Sequence, residues 1–199
     1  MAESIVEIAQ RLQAMAQTGL EFTNDRYDRE RYEELRELAA KLMGNPAGLL
    51  ETFVAQDGYA TPKVDVRAIV LREDKVLLVR EAADGLWCPP GGWADVGDTP
   101  SMAVEREVLE ETGLLVKAIR LLGVWDRNLH GHPPRPFQAY KLFFLCEEQG
   151  GELATSEDTL EIGFFDVRDL PPLSLDRVVP VEIESSVRTA VNGGPAYFD

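Results

Sequence analysis

Cysteine and histidine are nearly absent from this chain, and each scarcity removes a class of chemistry. Two cysteines occur in 199 residues, Cys88 and Cys146. With no metal-ligand spacing between them, neither a disulfide framework nor a thiolate metal site is expected, and both thiols should be reduced. The two histidines, His130 and His132, share the stretch HGHPPRP. Without a third ligand nearby, this stretch reads as a flexible loop facing a substrate rather than a metal site. Positive charge is also scarce: 20 Lys and Arg stand against 35 Asp and Glu, a formal net charge of −15. Tight non-specific binding to nucleic acid, which needs cations to neutralise phosphates, is thereby disfavoured. An anionic substrate would need local neutralisation by a metal and a few cations. No apolar run reaches the ~18 residues of a membrane span, and the amphipathic, acidic Met1 to Gln10 is unlike a signal peptide. A cytoplasmic protein without membrane attachment is expected. Internal repeats and low-complexity segments are missing too.

What is present is an ordinary globular composition, 45% hydrophobic, in a chain long enough for one full-sized domain and a smaller one. Ile5, Ile8, Leu12 and Met15 recur at helical spacing over residues 4 to 17, with Ser4 as cap and Thr18-Gly19 as stop. A second helix is expected over residues 25 to 43, with Tyr32, Leu35, Leu38 and Leu42 on one stripe and Gly44-Asn45-Pro46 as its end. A short third covers residues 47 to 55, and residues 58 to 62 form the hinge. From Val64 the pattern turns to strands: VDVRAIVLRE, then KVLLVRE across a tight Glu73-Asp74 turn, later LLVKAIRLLGVWDR, FQAYKLFFLCEE and EIGFFDV. A closing helix is expected over residues 176 to 192, kinked or shortened by Pro180. Strands alternating with helices make this an α/β protein.

The centre of the chain carries the chemistry. Thr99 is an N-cap, Pro100 suits the first helical position, and Gly113 supplies the left-handed residue that ends a helix. On that helix Glu107, Glu110 and Glu111 lie three and four residues apart, within an arc of about 100°. Like charges so placed repel by roughly 1 kcal/mol per pair at 4 Å in water, and more when partly buried. Arg106 can pair with one of them, and a hard divalent cation that prefers oxygen ligands would satisfy the others. Spacing alone leaves open the plainer alternative, a solvated acidic face.

The surrounding pattern adds to this. Gly92, five residues, Asp98, seven residues, then REVLEETGL through Leu114 resembles the signature of the Nudix hydrolases, with one departure: the signature has Glu where this chain has Asp98. Asp98 is expected to hold the loop before the helix. AQTGL, RYEELR, GYATPKVDVRA, PGGWADVG, EIGFFDV and LPPLS further resemble a bacterial Nudix group with a helical amino-terminal domain. That group acts on nucleoside diphosphates linked to another moiety, and CDP-choline pyrophosphatase is its best-known member.

The resemblance implies an α/β/α sandwich with a mixed sheet, residues 59 to 199, preceded by a small all-helical domain, residues 1 to 58. It also implies hydrolysis of a diphosphate linkage with Mg²⁺ or Mn²⁺. Glu107 and Glu111 are the expected primary metal ligands, Glu110 completes the site, and the main-chain carbonyl of Gly91 or Gly92 adds an oxygen. Arg106 orients a glutamate. In the family the base is often a carboxylate outside the signature, which points to Glu157, Asp158 or Glu161 and, of these, Glu161, with surface acids as the alternative. Arg67 meets the diphosphate or makes a structural ion pair. Trp93, next to Gly92, is placed to stack on a ring, whereas Trp87 and Trp125 read as core. Tyr27 and Tyr32 are candidates to reach a nucleobase, although Tyr32 also fits the apolar stripe.

A CDP-choline-like substrate is favoured, with ADP-ribose, a nucleotide sugar or capped RNA as alternatives. A non-catalytic nucleotide sensor would be expected to show a degraded signature, and all three helical glutamates remain. The helical stripes need burial, so a homodimer or a wall of the pocket is expected from residues 1 to 58.

Overall fold

The computed structural model describes residues 4–44 and 46–199. Met1 to Glu3, and Asn45 of the expected Gly44-Asn45-Pro46 stop, lie outside the described residues. The chain divides into two compact units, Met1–Lys63 with Pro134–Gln138, and Val64–Pro133 with Ala139–Asp199.

The first unit contains α1 (Ile5–Phe22), α2 (Arg26–Leu42) and α3 (Pro46–Val54). Ser4 and Glu7 cap α1 reciprocally, the Ser4 amide donating to Glu7 Oε2 (2.6 Å) and the Glu7 amide to Ser4 Oγ (3.2 Å). Contrary to the expected stop, α1 runs through Thr18-Gly19 and ends when the Thr23 amide donates to the Gly19 carbonyl. Gly19 serves contact rather than termination. A Cβ there would lie 2.4 Å from Tyr32 Cζ, so its bareness lets α2 approach α1. Tyr32 is therefore a helix-packing residue.

The expected stripe is not buried within this unit. Ala9, Gln13, Ala16 and Gln17 are the buried residues of α1, while Ile5 is 54%, Ile8 36% and Met15 52% exposed. Ala9 and Ala16 allow close approach on the inner side, and of the expected stripe only Leu12 packs inward, while Ile5, Ile8 and Met15 are left outward. The unit's own core is small: Ala39, Ala40 and Phe53, with Leu12, Met43, Leu49 and Leu50 against them.

The second unit is built on β1 (Lys63–Arg72), β2 (Lys75–Glu81), β3 (Trp87–Cys88), β4 (Leu114–Asp126), β5 (Ala139–Gly151), β6 (Thr159–Asp166) and β7 (Tyr197–Phe198), with α4 (Pro100–Thr112) and α5 (Pro180–Asn192). The strand order is β3-β2-β1-β5-β4-β7, with β6 antiparallel to β2 and β7 parallel to β4, a mixed sheet. Glu73 and Asp74 both take positive φ, 51° and 60°, which is what a two-residue hairpin turn between β1 and β2 requires.

Successive residues of β1 and β2 feed two cores. Val66, Ala68, Val70 and Leu77 pack with Ala103, Val104 and Val108 of α4, whereas Ile69, Val76 and Leu78 pack with Ile183 and Val187 of α5. A helix on each side explains why these strands read as unbroken apolar runs. Pro180 does not kink a longer helix. It occupies the start of α5, where its missing N–H costs nothing. The short strands β3 and β7 were too brief for alternation to reveal.

Candidate active site

The site begins where the chain turns back onto β1. The Val66 amide donates to the Gly92 carbonyl (2.8 Å), Ala68 to Pro90 (2.8 Å), and Ala94 to the Val64 carbonyl (3.0 Å), so residues 90 to 94 are zipped along the strand. Gly91 has φ 143°, and a Cβ on it would sit 2.0 Å from the Val66 oxygen, so no other residue fits. The two signature glutamates one helical turn apart meet this turn. The Gly91 amide donates to Glu111 Oε2 at 2.9 Å, and a Cβ on Gly92 would lie 2.9 Å from Glu107 Oε2. The glycines thus leave the space the carboxylates fill.

These carboxylates are electrostatically loaded. Burial pushes Glu111 up to about 7, with Glu81 and Glu107 adding to it against Arg67 and the Gly91 amide. Burial also raises Glu107. Arg106 gathers the acids of the loop and helix: Asp95 at 3.4 Å, Asp98 at 3.2 Å, Glu107 at 2.9 Å and Glu110 at 3.0 Å. Burial works against its charge, and these partners outweigh that and raise its pKa. Glu110, half exposed, is occupied with Arg106.

Arg67, 4% exposed, makes the structural ion pair of its two expected roles. Its Nε and Nη2 donate to Asp65 (2.8 and 3.0 Å) and its Nη1 to the Pro89 carbonyl (3.2 Å). Buried Lys141 adds a bond to Asp65 at 3.2 Å. Arg67 bears on the site through its charge, which favours ionised Glu111. Trp93 is 44% exposed and bridges through its backbone to Asp65. Glu161 faces Arg80 across the β2–β6 ladder at 2.7 Å, with its side chain mostly exposed.

The histidine stretch is not a flexible substrate loop. The His132 side chain is fully buried, its Nδ1 2.7 Å from the Leu175 carbonyl and its Nε2 3.0 Å from Glu182, while His130 Nε2 pairs with Asp199 at 2.9 Å. Trp125 is buried and stacks on Tyr197 at 4.0 Å, and Trp87 meets Phe165 edge-on at 4.7 Å, both in the core as expected. Tyr27 is exposed. Both cysteines are free and buried.

Sequence reasoning missed Glu81, a buried acid ending β2, whose Oε1 accepts from Cys88 Sγ (3.0 Å) and pairs with Arg177 Nε (3.0 Å). Its signal was a charged residue closing an apolar strand next to the glycine turn.

Among the described residues, no three His, Cys, Asp or Glu side chains gather as a ready metal cage. What the site offers is an oxygen donor pair, Glu107 and Glu111, both destabilised by burial, Glu111 also by the charge of Glu107. Such a pair fits a hard divalent cation. A NUDIX domain model matches residues 61–183.

The chain belongs to the Nudix hydrolases. Residues 3–51 match a second model, the UDP-X-like, N-terminal oligomerisation domain. This Nudix chain is 43% identical over 183 residues to YjhB of Bacillus subtilis (strain 168), provisionally named an ADP-ribose pyrophosphatase, covering 89% of this chain and 88% of that one. A crystal structure of UDP-X diphosphatase is similar at 34% identity with a TM-score of 0.67, covering 98% of both chains. The crystal structure of an ADP-ribose pyrophosphatase from Streptococcus suis 89-1591, at 40% identity and a TM-score of 0.63, covers 70% of this chain and 100% of its own. No helix among the described residues is long and apolar enough to cross a membrane.

Within this Nudix site, Asp98 is a partner of Arg106, the loop role its position before the Thr99 cap suggests. Asp98→Ala should lower the melting temperature by about 2 to 4 °C, the shift expected for ~1 kcal/mol in a chain of this size. It should reduce turnover far less than Glu111→Gln. A loss as deep as that of Glu111→Gln at unchanged melting temperature would instead place Asp98 at the reacting centre.

Proposed function

We propose that this Nudix hydrolase cleaves the diphosphate linkage of a nucleoside diphosphate joined to a second moiety, using Mg²⁺ or Mn²⁺. The observation that carries the reading is the Glu107 and Glu111 pair set against the Gly91-Gly92 turn. Nudix hydrolases in general need divalent metal ions, which supports it. When bound, the cation neutralises non-bridging phosphate oxygens and acidifies a bound water. Glu107 and Glu111 would hold it, together with the Gly91 carbonyl. Glu110 and Arg106 act next to it, Arg106 by fixing the Glu107 carboxylate in one orientation. Glu161 is the proposed proton acceptor from outside the signature, oriented by Arg80, and Trp93 with Gly92 forms the proposed wall for the second moiety.

A likeness that spans the helical unit as well as the catalytic one supports a nucleoside diphosphate X substrate. Pyrimidine nucleotides are favoured by the full-length similarity to UDP-X diphosphatase and by the motifs shared with the CDP-choline group. A second reading, ADP-ribose, rests on the 43% identity to YjhB. A panel of CDP-choline, UDP-sugars, ADP-ribose and NAD-capped RNA, assayed with Mg²⁺ and with Mn²⁺, decides between them. The expected result is that kcat/KM for a pyrimidine diphosphate derivative exceeds that for ADP-ribose, and the reverse order would move the assignment to ADP-ribose. We further propose a homodimer formed through residues 1 to 58. The pH dependence of kcat in Glu161→Gln checks the base: the acid limb seen in the wild type should disappear, and an unchanged profile would remove Glu161 from the mechanism.

A further inference from the structure

Outside the signature, one chain of contacts runs from the end of the catalytic unit to the signature carboxylates. Its start is the segment after β6. There the Ser174 amide donates to the Trp87 carbonyl (2.8 Å), the Trp87 amide to the Pro172 carbonyl (3.0 Å), and Ser174 Oγ to Asp84 Oδ2 (2.6 Å). Arg177 projects from this clamp with three partners, Ser174 Oγ and Asp84 through Nη1 (both 3.2 Å) and Glu81 through Nε (3.0 Å). Glu81 is 7% exposed, and the Oε1 that meets Arg177 also accepts from Cys88 Sγ. Cys88 opens the Cys88-Pro89-Pro90-Gly91-Gly92 turn, whose Pro89 carbonyl is tied to Arg67 and whose Gly91 amide holds Glu111.

Glu81 is a buried carboxylate at the end of β2, and burying a charged group is unfavourable unless it is paired and hydrogen-bonded. An apolar residue at position 81 would have closed β2 without that cost. What the carboxylate provides is a fixed acceptor between a partly exposed arginine and a buried thiol. Burial keeps Cys88 protonated and therefore a donor.

We propose that Glu81 and Arg177 are positioning residues for the reaction: through Cys88 they fix the Pro89 to Gly92 turn, and through that turn the carboxylates of Glu111 and Glu107. The proposal rests on the reading of Glu107 and Glu111 as metal ligands. Neither residue belongs to the signature, and neither touches substrate in this role. Partners that orient metal ligands typically change metal affinity by about 10- to 100-fold when removed.

The test uses the full chain and Mn²⁺ alone, with binding followed by electron paramagnetic resonance. Hydrogen exchange at the Gly91 amide is measured in metal-free protein. Arg177→Ala, at a side chain partly exposed to solvent, should keep its fold, shown by its melting curve. It should weaken Mn²⁺ binding by about 10- to 100-fold and speed Gly91 exchange. It should also lower kcat while KM stays within about two-fold, the pattern of a lost transition-state interaction. Arg177→Lys should recover part of the affinity, and Glu81→Ala should match Arg177→Ala. If both alanine variants bind Mn²⁺ as the wild type does while Glu111→Gln loses it, the positioning role is overturned and the metal assignment stands. If Glu111→Gln itself binds Mn²⁺ normally, the metal assignment falls and this proposal falls with it.

Discussion

Glu111→Gln should lower kcat by on the order of 100- to 1000-fold and, in metal-free protein above pH 7, raise the melting temperature. The two effects have one cause. Burial first, then Glu81 and Glu107, lift the Glu111 carboxyl from 4.5 to about 7. At about 1.4 kcal/mol per pH unit, its ionised form then destabilises the fold by about 3 kcal/mol. Because the folded-state value lies above the unfolded one, the native chain holds the proton more tightly between pH 4.5 and 7. Stability from this group is therefore fully present below 4.5 and is lost as pH rises through 7. Glutamine keeps the shape and an acceptor for the Gly91 amide without the charge, so the variant should lose that pH dependence. Thermal melts in EDTA from about pH 4 to 8, paired with steady-state kinetics in Mg²⁺, measure both. A variant with wild-type turnover, or one that is less stable than wild type at about pH 8 without metal, would contradict the assignment.

Charging the outer stripe of α1 should take the protein apart into monomers. Ile5, Ile8 and Met15 lie along one side of that helix and are exposed in the single chain, with Phe22 at its end. A two- or three-helix unit whose core is two alanines and a phenylalanine gains little stability from itself. Large side chains left outward on a region matching an oligomerisation domain are the anchors expected of an interface. Ile8→Glu with Met15→Glu places two carboxylates where two apolar anchors would be desolvated, and losses at such anchors run to about 2 kcal/mol or more each. Light scattering on the double variant should give the monomer mass with the circular dichroism of the wild type. An unchanged oligomeric mass would show that the contact between copies lies elsewhere. A truncated chain beginning at residue 59 gives the complementary measurement, with oligomeric mass and turnover as its two readouts.

The signature helix was legible because every determinant of it is local. Thr99, Pro100 and Gly113 bound it, and the positions of Glu107, Glu110 and Glu111 follow from helical geometry alone. The β1 and β2 strands were legible for a similar reason, as apolar runs joined by the tight Glu73-Asp74 turn, although which core each residue enters was not. What escaped was non-local. Gly19 looked like a helix stop, and only the neighbouring Tyr32 shows why a glycine stands in mid-helix. His132 looked like a loop residue until Glu182 and the Leu175 carbonyl, more than forty residues later, enclosed it. Arg67 alternates with apolar neighbours on β1 in a way that suits either a ligand or an ion pair, and Asp65 and Pro89 make it the latter. The α1 stripe was recognised as apolar, but periodicity reports which residues share a side and not what covers that side. Glu81 and Arg177 meet only because the segment after β6 returns beside β3, a contact no spacing encodes.

The most direct test of the central claim is phosphorus NMR of the reaction mixture with a preferred nucleoside diphosphate derivative. Cleavage of the diphosphate linkage predicts that the paired diphosphate resonances give way to two phosphomonoester resonances of equal area, with no inorganic phosphate, and that EDTA stops the conversion. Release of inorganic phosphate, or conversion at the same rate in EDTA, would contradict it.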